Sequence, residues 1–117
     1  MKDRLTDIMK TVIEFRDERD WKQFHDPKNL SEAVCVESAE LLEKLLWKTP
    51  EEARNLNQTE LSSVREEIAD IMIFLIYLCD AFQFDLLDAV ANKLELNKAK
   101  YPKEKARGTS KKYTELR

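Results

Sequence analysis

Residues 66–79 read Glu66-Glu67-Ile68-Ala69-Asp70-Ile71-Met72-Ile73-Phe74-Leu75-Ile76-Tyr77-Leu78-Cys79, an acid pair at i, i+3 spacing followed by an uncharged run. Wound as a helix, Ile71 to Cys79 is apolar on every side, which implies burial all round rather than along one stripe. At about 100° per residue Glu67 lies over Ile71, Phe74 and Leu78, and Asp70 lies between the columns led by Phe74 and Tyr77. Both carboxylates therefore project from a side of the helix that otherwise looks buried.

The same arrangement occurs upstream in Glu37-Ser38-Ala39-Glu40. Leu30, Val34, Leu41 and Leu45 fall in a narrow helical stripe, Glu37 projects into it, and Glu40 sits beside it. Burying an unpaired carboxylate is costly, so several converging ones need a cation. Four oxygen ligands without thiolate or imidazole suit a hard ion, Mg²⁺ first and Mn²⁺ second, and Mg²⁺ commonly engages phosphate as well. The plainer alternative is that one or two of these acids form ordinary salt bridges with Lys44, Lys48 or Arg65. A single His leaves no Glu-x-x-His pairs for a di-iron carboxylate site.

The 117 residues make one domain by length, and a single Gly, three Pro and long polar-apolar periodicity predict an all-α chain. A net charge of -3 argues against a nucleic acid polymer as partner. Charge is uneven, with a basic segment from Lys103 to Arg117 that either folds over an anionic ligand or is a solvated end. The expected organisation is a helical domain over 1–102 and a basic tail over 103–117. Cys35 and Cys79 occupy helical apolar positions without metal-type spacing and read as reduced core residues of a cytoplasmic protein. The N-terminus lacks an apolar signal segment and Ile71–Cys79 is too short to span a bilayer, so neither secretion nor membrane insertion is expected.

Four main helices are predicted. Leu5, Ile8, Met9, Val12, Ile13 and Phe15 carry a helical period from about Asp3 to Arg19. Asp26-Pro27 is a turn signal, and Asn29-Leu30-Ser31-Glu32 has the form of a capping box, placing the second helix from about Leu30 to Lys48. Thr49-Pro50-Glu51-Glu52 starts a short connector helix. The third main helix runs from about Glu60 to Phe82, and Asp85 caps a fourth from Leu86 to about Tyr101, closed by Pro102. So small a bundle cannot bury Ile71–Cys79 on all sides by itself. A homo-oligomer through the helices, a dimer or a dimer of dimers, is the expectation.

Several blocks of this chain, taken in order, resemble the MazG-like all-α nucleoside triphosphate pyrophosphohydrolases, and within them the dCTP pyrophosphatase branch. They are Glu18-Arg19-Asp20-Trp21-Lys22-Gln23-Phe24-His25, Asn29-Leu30, Glu37-x-x-Glu40-Leu41-x-Glu43 with Trp47-Lys48, and Glu66-Glu67-Ile68-Ala69-Asp70. Asn97-Lys98-x-Lys100-Tyr101-Pro102 and Lys111-Lys112-Tyr113-Thr114-Glu115-Leu116 complete the series. The resemblance implies Mg²⁺-dependent cleavage of a dNTP between the α and β phosphates, with dCTP or a modified dCTP preferred, releasing a monophosphate and pyrophosphate in nucleotide-pool cleaning. It also implies that Glu37, Glu40, Glu67 and Asp70 bind the metal, Glu40 and Glu67 being the candidates for general base. Trp21, Phe24 and His25 match positions of the base and sugar pocket, where flat rings stack a nucleobase and an imidazole bonds its edge. On the residues alone Trp21 and Phe24 read first as a loop anchor packed on the helices, and the matching neighbours turn the reading to binding. Trp47 closes the pocket from a neighbouring subunit or packs an interface. Lys93, Asn97 and Tyr101 match phosphate-contacting positions, with Lys111, Lys112 and Tyr113 a weaker match.

Two departures concern the base. A His found in the first helix of some dCTP-specific relatives corresponds to Val12, and a Tyr one turn after the second acid pair corresponds to Phe74, a candidate substrate contact. Exchanging a hydrogen bond for an apolar contact relaxes discrimination. The rival readings are a sister activity on dUTP, dATP or a non-standard nucleotide, and a helical bundle that binds nucleotide or oligomerises without turnover.

Overall fold

The computed structural model describes residues 3–116, which are helical throughout their regular elements and divide after Gln83 into two compact units. In the first unit, α1 (Arg4–Glu18) is capped by Asp3, whose carboxylate accepts from the Leu5 N–H at 3.1 Å and the Thr6 hydroxyl at 2.7 Å. A 3₁₀ turn at Lys22–Phe24 leads into α2 (Pro27–Glu43). This helix starts earlier than the sequence suggested. Asp26 is the cap, accepting from the Asn29 N–H at 2.9 Å with Pro27 at the first helical position, so the expected Asn29–Glu32 capping box lies inside the helix. The helix also stops earlier than Lys48, because the Lys44 and Leu45 N–H groups bond to Leu41 and Leu42 and tighten the chain into turns.

α3 (Pro50–Arg54) and α4 (Gln58–Phe82) each begin with a reciprocal capping box, Thr49 with Glu52 and Asn57 with Glu60. α4 ends on Gln83, held in the left-handed region at φ 62°. It is the central element, packing chiefly against α2 and secondarily against α1. Their shared interior is thin: Leu30 from α2 and Ile76, Tyr77 and Cys79 from α4 are the buried apolar residues among those described, joined by the buried Arg16 of α1. Cys35, expected in the core, is exposed. It lies five residues beyond Leu30, about 140° round the helix from the buried stripe.

In the second unit Asp85 caps α5 (Leu86–Lys100), followed by the short α6 (Lys103–Ala106) and a 3₁₀ turn at Tyr113–Glu115. Among the described residues no helix is long and apolar enough to cross a membrane.

Candidate functional site

The packing of α2 on α4 brings Glu37 opposite Glu67 and Asp70, with Glu40 outside this three-residue cluster. One oxygen from each of Glu37, Glu67 and Asp70 lies within 4.8 Å of the others. Glu37 and Glu67 are half-buried, and the Oε2 atoms of both are shut off from solvent with no hydrogen-bond partner among the described residues. Glu40 stands close enough for its charge to act on Glu37. The Glu37 carboxyl is pushed up to about 7, first by the adjoining Glu67 carboxyl, which favours a proton held between them, then through lost hydration and the neighbouring Glu40 charge.

The salt-bridge alternative is met in part. Lys44 Nζ lies 3.7 Å from Glu67 Oε1, while Lys48 pairs with Glu60 away from the cluster. One ammonium beside several carboxylates leaves the excess negative charge in place. Buried carboxylate oxygens with no donor, converging from two helices, suit a divalent cation, which supplies the missing positive charge.

Asp70 also borders a cavity of about 550 Å³. α1 contributes Thr11, Val12 and Phe15, the following loop Trp21 and His25, and α4 Ile73, Phe74 and Tyr77. The walls are mainly apolar. Phe15 and Trp21 meet edge to face at 5.7 Å, and the Arg19 guanidinium covers Phe15 at 3.7 Å. His25 packs on Tyr77 with ring centres 4.7 Å apart, and its Nδ1 is buried without a partner among the described residues. Burial, reinforced by the Arg16 charge, holds the imidazole below its ordinary pKa and keeps it neutral at pH 7.

Of the residues singled out from the sequence, Trp21, His25, Phe74 and Asp70 thus share one cavity, and Glu37 and Glu67 lie with Asp70. Phe24 is 63% exposed and Trp47 92% exposed, and neither lines it. In the second unit Lys93 and Asn97 border a shallow apolar depression with Ala89, Val90 and Leu94 on α5. Tyr101 meets Tyr113 edge to face at 6.0 Å, with the Lys100 ammonium 4.8 Å from the Tyr113 ring centre.

The sequence reading missed Thr11, Phe15, Tyr77 and Arg16. Tyr77 lies two turns beyond Asp70 on the same helix face, and Arg16 continues the Met9, Val12 stripe of α1. Both signals were present in the periodicity.

The sequence profile of the MazG-like family matches residues 33–116. dCTP pyrophosphatase 1 of Homo sapiens is 41% identical over 114 residues, spanning 96% of this chain and 67% of that protein. dCTP pyrophosphatase 1 of Bos taurus is 40% identical over 114 residues, spanning 96% and 68%. The crystal structure of a pyrophosphatase from Archaeoglobus fulgidus superposes with a TM-score of 0.79 at 37% identity, covering 87% of this chain and 95% of that one.

Proposed function

Because this chain belongs to the MazG-like family, we propose that it is a nucleoside triphosphate pyrophosphohydrolase that splits a dNTP, with dCTP or a modified dCTP preferred, into a monophosphate and pyrophosphate. The observation that carries the reading is Asp70, which belongs at once to the acid cluster and to the aromatic cavity. A ligand reaching both must have a polyanionic, metal-binding end and a flat apolar end, and a nucleoside triphosphate has both.

Glu37, Glu40, Glu67 and Asp70 would hold Mg²⁺, or Mn²⁺ in its place, which when bound supplies charge neutralisation at phosphate oxygens and a more acidic water. The chain itself positions the substrate. Trp21, Phe15 and Phe74 offer ring faces to the base, and the neutral His25 can both accept and donate at its edge. Glu40 or Glu67 takes the proton of the attacking water as its oxygen bonds to the α phosphorus and the α–β bridge breaks. Lys93, Asn97 and Tyr101 are proposed phosphate contacts. The protein is proposed to act in the cytoplasm on the free nucleotide pool, as a dimer or dimer of dimers.

Val12 and Phe74 favour a second reading of base choice. Both line the cavity with hydrocarbon where a polar group would read cytosine, which fits dUTP, dATP or a non-standard nucleotide as well.

The test is pyrophosphate release from the four common dNTPs, dUTP and 5-methyl-dCTP, with Mg²⁺ and with EDTA. Strong release from one or two of them that EDTA abolishes is expected; none from any, with folded protein and metal supplied, sinks the reading. Glu40→Gln and Asp70→Asn should each abolish turnover with the helical circular dichroism intact. If either variant kept most of the activity, the metal assignment would be wrong.

A further inference from the structure

The cavity has a floor that the phosphate chemistry does not require. Tyr77 is 4% exposed, whereas Phe15 and Trp21 at the cavity wall are exposed. Its ring sits against His25 and meets Phe74 edge to face at 6.3 Å. Behind it is Arg16, 3% exposed, with its guanidinium centre 5.8 Å from the Tyr77 ring centre. Arg16 Nη1 donates to Asp80 at 2.7 Å and Nε to Asp17 at 2.9 Å. Arg16 is buried but Asp80 and Asp17 are partly exposed, so solvent screens the attraction and the pairs add little to stability. The Arg16–Asp80 pair does fix geometry: Asp80 ties α1 to the turn of α4 just beyond Tyr77, and the ring rests against both the restrained cation and His25.

α4 then acts as a ruler. Asp70 and Tyr77 lie two helical turns apart on one face, about 10 Å along the axis. That separation suits a ligand whose phosphate would be held at Asp70 through a divalent cation and whose sugar extends towards Tyr77. Ile73 and Phe74 between them offer no hydrogen bond to a base, which leaves edge reading to His25 and selection by ring size to the shape of the cavity. A purine exceeds a pyrimidine by one fused ring, and a ring is what Tyr77 adds to the floor.

We propose that Tyr77, clamped by the Arg16–Asp80 pair, limits the depth of the cavity and thereby selects pyrimidine over purine nucleotides. The inference rests on the nucleotide reading of the site.

Calorimetric titration of the full chain with dCMP and with dAMP, Mg²⁺ being supplied, tests it without requiring turnover. The wild type should bind dCMP more tightly by about tenfold or more, and Tyr77→Ala should bring the two affinities to within about threefold by strengthening dAMP binding. Tyr77→Phe, which keeps the ring, should keep the preference. Should Tyr77→Ala fail to fold, Tyr77→Leu removes the same ring with less loss of volume and carries the same expectation. A wild-type preference that survives loss of the ring overturns the proposal, as does equal binding of both nucleotides or binding of neither by the wild type. Pyrophosphate release separates the two readings: selective dCMP binding that depends on Tyr77 but comes without hydrolysis of any dNTP supports this proposal and sinks the enzymatic one.

Discussion

The Glu37 carboxyl is drawn up to about 7 by the adjoining Glu67 carboxyl, with lost hydration and the nearby Glu40 charge adding to it. In the folded, metal-free chain this carboxyl binds a proton between its ordinary 4.5 and about 7, where the unfolded chain has released it. Stability from this group is therefore present at low pH and lost as pH rises through that window. His25, whose folded pKa is lowered, tilts the same range the opposite way, so the informative comparison is between wild type and Glu37→Gln. In EDTA the variant should gain thermal stability relative to wild type as pH goes from 5 to 8. Mg²⁺ should raise the wild-type Tm more at pH 8 than at pH 5.5, and should do little for the variant. A pH-independent difference in Tm between the two proteins would show that Glu37 is not held protonated by its neighbours.

At the level of the helices, α4 carries the architecture, and its two ends show how that helix is set. Asn57 accepts from the Glu60 N–H at 2.8 Å while Glu60 accepts from the Asn57 N–H at 3.1 Å, so Asn57→Ala should destabilise the chain by about 1 kcal/mol. At the other end Gln83 occupies the left-handed region, where a Cβ is unfavourable, and Gln83→Gly should stabilise by about 0.5–1 kcal/mol. Urea unfolding measures both, and a midpoint that moves in the opposite direction in either variant refutes the capping account. Much of this layer was legible in the sequence. The Asp85 cap, the Thr49 box and the long apolar helix followed from residue type and period, as did the inward side of Glu37 and Glu67, whereas Asp70, expected on a buried side, is exposed. The start of α2 did not, because Asp26-Pro27 is a turn signal and an N-terminal cap in the same two residues, and Ser31-Glu32 imitated a later start. Nor did the depth of the cavity, since depth depends on how α1 crosses α4 and periodicity fixes only the face that each helix presents.

For the molecule as a whole, the thin interior is the feature with the widest reach. Leu42, Leu46, Leu61, Ile68, Phe82 and Trp47 are exposed, and most of Ile71–Leu78 is only half-buried, although the sequence calls for burial all round. Apolar surface left open at about 25 cal/mol per Å² is a strong drive to associate. Sedimentation at micromolar concentration should give a dimer or a dimer of dimers; a stable monomer would remove the oligomeric part of the proposal. Asp70 has a separate consequence. An ion held by Glu37, Glu67 and Asp70 would also set the rim of the cavity, and the proposed occupancies of ion and nucleotide would then be thermodynamically linked. By reciprocity, the factor by which a divalent ion tightens a nucleoside monophosphate must equal the factor by which that nucleotide tightens the ion. Each ligand then reports on the other, and a chain loaded with only one of them stands part-way to readiness for the second.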